Sequence, residues 1–323
     1  MAVRAIGVHD HTIHDCPIAV IDFETTGLTP GFDRVVEVSV VRIEPRKPPC
    51  LVFDTLINPR RRVAATEIHG ISDDDVADAP TFEDIAGELL TAVSGCVIAA
   101  YNVYFDVRFL ANELRLSGVC DLPPHFCLMY MRPLLGLGSR CRLDEACQSH
   151  GIAHDIAHIA AADAMASAQL LTFYLQVMTD RRISKFADLA ALKDYKFLDS
   201  FSQLPFLGPE RYRLGRCHRL KSRNVATISA APVDSTRKSI AKYWDVLKTI
   251  LADLRIDDEE MDQITKLRNS FGLKEEQVRM LHARAFASAI MQFTDDRWLS
   301  DREAIALQRL YGCLRQLGWA PGQ

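Results

Sequence analysis

Ile18-Ala19-Val20-Ile21-Asp22-Phe23-Glu24-Thr25-Thr26-Gly27 is a short apolar run that carries two carboxylates and is stopped by two threonines and a glycine. An apolar segment of this length bounded by turn residues reads as a buried strand. Asp22 and Glu24 stand at i and i+2, so a strand places both side chains on one face of its sheet. Charges there are costly unless they are paired or hold a metal.

Working outward, Val35 to Ile43 is a long β-branched run and Leu51 to Ile57 is a third strand-like segment, ending at Asn58-Pro59. Three successive strands with short connections imply an antiparallel meander. Thr81 to Val93 then reads as an amphipathic helix through Phe82, Ile85, Leu89, Leu90 and Val93. Cys96 to Tyr101 reads as a buried strand, Val103 to Leu116 as a second helix, and about Ala161 to Val177 as a third. Strands first, then strand and helix in alternation, imply an α/β domain with a mixed sheet and helices on its faces.

The chain has 323 residues, 48% apolar and 25% charged, which favours two globular domains and excludes disordered and collagen-like classes. No window approaches a membrane span, and the stretch Met1 to Cys16 carries Arg4, His9, Asp10, His11, His14 and Asp15 where a signal peptide needs apolar residues. A cytoplasmic location is expected. The net charge of −4 argues against bulk electrostatic coating of nucleic acid, so any such contact must be local. Nine cysteines, odd in number and without C-x-x-C pairs, read as reduced core thiols rather than a zinc cluster of Cys120, Cys127, Cys141 and Cys147 with His125.

Residues 1–178 form the first domain, with its core from about 17. A connector follows over 179–239, punctuated by Pro205, Gly208, Pro209, Gly215 and Pro232. It holds a basic run, Arg211, Arg213, Arg216, Arg219, Lys221 and Arg223, opposed only by Glu210. Such a run is either a solvated linker face or a patch that guides a phosphate backbone. Residues 240–323 read as a helical domain with an internal repeat: Asp253-x-x-Ile256-Asp-Asp258-x-Glu260 returns as Asp296-x-x-Leu299-Ser-Asp301-x-Glu303, 43 residues on. Ser300 with Glu303, and Asp257 with Glu260, have the spacing of helix-capping boxes. An EF-hand calcium loop is the alternative, but neither copy has the required glycine or the alternating oxygen ligands.

Asp106 opens the helix after the fourth strand, and Asp163 lies near the start of the last helix, five residues after His158. Four separated acids and a histidine are then available to converge at one end of a sheet. Hard carboxylate oxygens without thiolates select Mg²⁺ or Mn²⁺, and two such ions about 3.5–4 Å apart can hold the attacking and leaving oxygens of a phosphoryl displacement. Phosphodiester hydrolysis is the implied reaction.

Asp22-Phe-Glu24-Thr-Thr-Gly27, Asn102-x-x-Phe105-Asp106 and His158-x-x-x-x-Asp163 resemble, in order, the three motifs of the DEDDh family of 3′–5′ exonucleases, which includes the proofreading epsilon subunit of bacterial DNA polymerase III. Ile57-Asn-Pro59, Ile68-His-Gly-Ile-Ser72 and Phe126-Cys-Leu-Met129 with Arg132 extend the resemblance over roughly residues 17 to 178. It implies a ribonuclease H-like sheet with Asp22, Glu24, Asp106 and Asp163 holding two Mg²⁺ or Mn²⁺ ions, and His158 as general base. It further implies substrate contacts from the backbone around Phe23 and Thr25, from Leu28 and Phe105, and beside Asn102. Tyr101 departs from the pattern, standing where many members have histidine. His69 is expected to fix a turn, and His125, His150 and His154 to be surface or loop residues.

The helical repeat resembles the TerB-like domains of tellurite-resistance proteins, which implies an interaction or regulatory module and a possible protein partner. Gln203-Leu-Pro-Phe-Leu207 resembles, faintly, the peptides that dock bacterial sliding clamps. The expected substrate is the 3′ end of single-stranded DNA. Two other readings stay open: an exoribonuclease working with the same carboxylates, and a non-catalytic nucleic-acid-binding module that keeps the fold.

Overall fold

The computed structural model describes residues 7–28, 30–31, 33–119, 122–154, 157–192, 200–204, 221–223, 235–251, 255–293 and 301–320. Strands β1 (Ile18–Thr25), β2 (Val35–Ile43) and β3 (Cys50–Leu56) form the expected antiparallel meander. Strands β4 (Val97–Ala100) and β5 (His125–Cys127) join in parallel, giving the order β3-β2-β1-β4-β5. The sheet is the mixed one that the sequence implies. β1 lies at its centre, which is why its residues are buried on both faces.

Short helices α1 (Thr66–His69) and α2 (Asp73–Val76) lead into α3 (Phe82–Val93), whose first turn is closed by a capping box between Thr81 and Asp84. Helix α4 (Val103–Leu116) follows β4 directly, and α5 (Leu128–Leu134) and α6 (Leu143–Gln148) follow β5. Helix α7 (Ala160–Asp180) crosses β1 and β2. Its buried Ala160, Ala164 and Ala168, at i, i+4 spacing, let the helix lie close to the sheet.

The core of this body continues past residue 178. Ile183, Phe186, Leu189 and Phe201 belong to the same apolar cluster, carried by α8 (Phe186–Ala190) and α9 (Ser200–Gln203). Phe126, Phe186 and Phe201 meet edge to face or tilted, with centroids 4.9–6.4 Å apart. Within the expected connector, residues 221–223 lie along the outer edge of β3: Leu56 N donates to Lys221 O at 2.8 Å and Lys221 N to Thr55 Oγ1 at 3.0 Å. Arg211, Arg213, Arg216 and Arg219, like Pro205–Leu207 of the clamp-like segment, lie outside the described residues.

Among the described residues the C-terminal part holds the helices α10 (Ser235–Ile250), α11 (Asp258–Ser270), α12 (Glu275–Phe293) and α13 (Asp301–Gln316). The first begins five residues before the expected domain start. The capping box at Asp257 and Glu260 is present, whereas Ser300 of the second copy lies outside the described residues. Helix α10 supplies the centre, with Tyr243, Trp244, Val246, Leu247 and Ile250 buried among Ile264 and Leu310, one from each repeat copy, and Leu281 and Leu314. The same cluster takes in Ile68 of α1 and Ala65 just before it, so the helical body is seated on the sheet domain. Arg140 and Glu260 add a half-buried ion pair of 3.0 Å across that seam.

Among the described residues no helix is long and apolar enough to cross a membrane. The described cysteines are all free, and burial pushes the thiol of Cys16 up to about 11 and that of Cys96 up to about 12.

Candidate active site

β1 and β4 run in the same direction, so their C-terminal ends share one edge of the sheet, the usual place for a site in open α/β folds. Asp22 and Glu24 stand at that end of β1. Asp106 occupies the first turn of α4 and Asp163 the first turn of α7, where free N–H groups favour a carboxylate. One cleft of about 110 Å³ is lined by Asp22, Glu24, Asp106, His158 and Asp163 together with Phe23, Asn102 and Phe105. Three side chains, Glu24 from β1 with His158 and Asp163 from around the start of α7, bring ligand atoms within 4.8 Å of one another.

Each acid is held by local structure. Asp106 Oδ1 accepts from Phe23 N at 3.1 Å, which ties α4 to β1 between the two strand carboxylates. Asp163 Oδ2 accepts from His158 N at 2.9 Å, closing the turn that precedes α7. Asp163 Oδ1 faces His154 Nε2 at 2.5 Å. His158 has φ +63°, a left-handed conformation that a residue with a Cβ rarely adopts, and its side chain is buried. Gly27 is required at the end of the first motif, because a Cβ there would run into the Asp33 carboxylate that Thr26 Oγ1 also binds.

The expected substrate residues divide. Asn102 Oδ1 is buried with no protein partner among the described residues, in the cleft, and Phe105 lines the wall beside it. Phe23 commits its N–H to Asp106, and its ring is buried in the core. Thr25 and Leu28 do not line the cleft. Thr25 Oγ1 donates to Gly27 O at 2.5 Å, and Leu28 packs against the helical body.

Several cleft residues had escaped the sequence reading. His154, expected on the surface or in a loop, lies in the loop before α7, but its side chain is only 5% exposed and bonded to Asp163. His69 is buried and accepts from Ile71 N at 3.0 Å, the turn-fixing role expected of it. Arg142, Asp144, Lys242 and Asp245 also line the cleft, the last two from α10, as does Tyr101. His158 Nδ1 lies 3.8 Å from Glu24 Oε1 and its Nε2 3.2 Å from Asp245 Oδ2. Burial works against the imidazolium, yet Asp245, then Glu24 and Asp163, push His158 up to about 9. The surrounding carboxylates thus favour the protonated ring over the neutral form that a general base needs.

Beneath the site, Glu37 of β2 sits opposite Glu24 and is nearly fully buried. Its Oε2 accepts from Ala160 N at 3.0 Å and from Arg223 Nη1 at 3.1 Å. Burial pushes this carboxyl up to about 7, against the lowering pull of Arg223 and the Ala160 N–H. An acid inside the run Val35 to Ile43 was the sequence sign of it.

The RNase_T family, described as exonuclease, matches residues 19–171. The DNA polymerase III subunit epsilon of Treponema pallidum is 33% identical over 171 residues, 51% of this chain and 77% of that protein. The PolC-type DNA polymerase III of Thermotoga maritima is 27% identical over 293 residues, 78% of this chain but 21% of its own length. The chain thus spans about a fifth of the length of that relative. Among solved structures, exonuclease X in complex with 5′ overhanging duplex DNA is 21% identical, with a TM-score of 0.41 over 55% of this chain and 99% of its own. With its three motifs in order and the epsilon subunit matched over most of that protein's length, this chain belongs to the DEDDh family of 3′–5′ exonucleases.

Proposed function

We propose that the chain is a divalent-metal-dependent 3′–5′ exonuclease acting on single-stranded DNA ends. The observation that carries this reading is the convergence of Asp22, Glu24, Asp106, Asp163 and His158 on one cleft from three separate segments. Three of these acids are 4–8% exposed, Glu24, Asp106 and Asp163, and so much buried negative charge calls for a cation. The donor set of carboxylate oxygens and imidazole without thiolate fits Mg²⁺ or Mn²⁺. Asp22, Glu24, Asp106 and Asp163 would hold the ions, which when bound supply Lewis-acid stabilisation of the phosphoryl oxygens.

The chain's own groups account for the rest. His158 takes the proton of the attacking water at an imidazole nitrogen, which requires the neutral ring; cations among the carboxylates would lower its affinity for a proton toward that form. Asn102 Oδ1, buried and lacking a protein partner, offers an acceptor for a hydroxyl of the terminal nucleotide. Phe105 presents an apolar wall against which a base can rest. The choice of DNA is supported by the similarity to DNA polymerase III epsilon subunits. The helical body, seated beside the cleft, would regulate access or bind a protein partner.

The test is digestion of 5′-labelled single-stranded, recessed and mismatched DNA and RNA by the purified chain, with Mg²⁺, Mn²⁺ or chelator. Stepwise shortening of DNA from the 3′ end that stops in chelator is the expected result. RNA shortened faster than DNA would make the chain an exoribonuclease. Binding without cleavage in either metal would leave only the non-catalytic module.

A further inference from the structure

Arg223 belongs to the segment expected to be a linker, yet its guanidinium lies inside the catalytic body, bound to three acceptors from three elements. Nη1 donates to His158 O at 3.1 Å and to Glu37 Oε2 at 3.1 Å, and Nη2 donates to His69 O at 2.8 Å. The side chain is 11% exposed and Glu37 1%. This placement is fixed along the chain as well, since Lys221 and Ser222 bond to β3 immediately before it.

We propose that Arg223 is a positioning residue for His158, a role that rests on the reading of His158 as the general base. The backbone of His158 is in a left-handed conformation, φ +63°, which persists only where the surrounding structure holds it. Two bonds impose it. On the N-terminal side the His158 N–H is taken by Asp163, and on the C-terminal side its carbonyl is taken by Arg223. Glu37 completes the arrangement, because the same Oε2 binds Arg223 and the N–H of Ala160, two residues beyond His158. A planar guanidinium reaches all three acceptors in a fixed fork; an ammonium on a flexible stem does not. The last cation of the basic run therefore orients the base instead of meeting the phosphate backbone.

Arg223→Ala leaves the buried Glu37 without its cation, so the informative variant is Arg223→Ala with Glu37→Gln, compared with Glu37→Gln alone and with Lys221→Ala as a control outside the site. The double variant should lose about 10- to 100-fold in kcat with KM within threefold, the signature of a misplaced catalytic group. Guanidinium ion at millimolar concentration should restore part of that rate, and Lys221→Ala should behave as the parent. A kcat within twofold of Glu37→Gln, or a loss confined to KM, overturns the proposal. One readout needs no turnover: the amide ¹⁵N shift of Ile159, whose peptide unit contains the His158 carbonyl. It should move between Glu37→Gln and the double variant. If it does not, the positioning role fails even for an active nuclease; if it moves in a chain that digests nothing, the nuclease reading fails and the positioning stands.

Discussion

His158 Nε2 lies 3.2 Å from Asp245 Oδ2, so the candidate general base of the sheet domain is paired with a carboxylate from the helical body. With Lys242, Asp245 forms the wall that holds the cleft to about 110 Å³, well under the roughly 300 Å³ at which ligand pockets begin. Helix α10 thus contributes one side of the cleft.

In chelator, His158 should titrate near 9, well above the ordinary value for histidine, and Asp245→Asn should bring it down. The folded value is raised, so the pair stabilises the protein fully below about pH 6.5 and loses that contribution as pH rises through about 9. Imidazole NMR across this range, with urea midpoints at pH 6 and 9.5, checks both. An unchanged titration in Asp245→Asn would show that the pairing is not made in solution.

Replacing Asp22, Glu24, Asp106 or Asp163 singly with alanine should nearly abolish hydrolysis and leave the fold intact. Because all four serve one charge-compensated site, Asp22→Ala with Glu24→Ala should cost little more than either alone. His158→Ala should lower kcat by roughly 10²–10⁴-fold with little effect on KM. Single-turnover rates of the series decide the matter, and additive losses would speak against a shared site.

Phe201→Ala should destabilise the sheet domain by about 3–5 kcal/mol, since the ring is fully buried between Phe126 and Phe186. For the same reason a fragment ending at Met178 should melt well below one ending at residue 224. Calorimetry of the two fragments measures the difference; equal melting temperatures would return α8 and α9 to the status of a linker.

His282 is buried against Tyr243, with 2.8 Å between its Nε2 and the phenol oxygen. Burial, helped by Arg268, lowers its pKa to about 4. The unfolded chain therefore binds the proton more readily, and the helical body should lose stability as pH falls from about 6.5 toward 4. The loss is on the order of 3 kcal/mol by the linkage relation. Denaturant melts at pH 7 and pH 4.5 should show a drop in the parent that His282→Gln lacks.

Local pattern was enough to read β1 to β4, the helices α3 and α4 and the residues of the three motifs, whereas the three-residue β5 is too short to show a period. Alternation, β-branching and turn residues act over a few positions, and a carboxylate inside an apolar run is conspicuous wherever it occurs. Val35 to Ile43 and Val103 to Leu116 match the folded elements residue for residue. Glu37 was open to reading on the same grounds, as an acid inside the apolar run of β2, whereas His154 sits in a loop with no period to mark it.

Arg223 and Asp245 were not legible. Each reaches His158 from 65 or more residues along the chain, and in sequence each is one charge among others, in a basic run or on an amphipathic helix. Composition and spacing determined which groups could do chemistry at the sheet edge. Only the tertiary structure decided what surrounds His158, because partners brought together by the docking of α10 on α1 and of residues 221–223 on β3 leave no periodic trace in the chain.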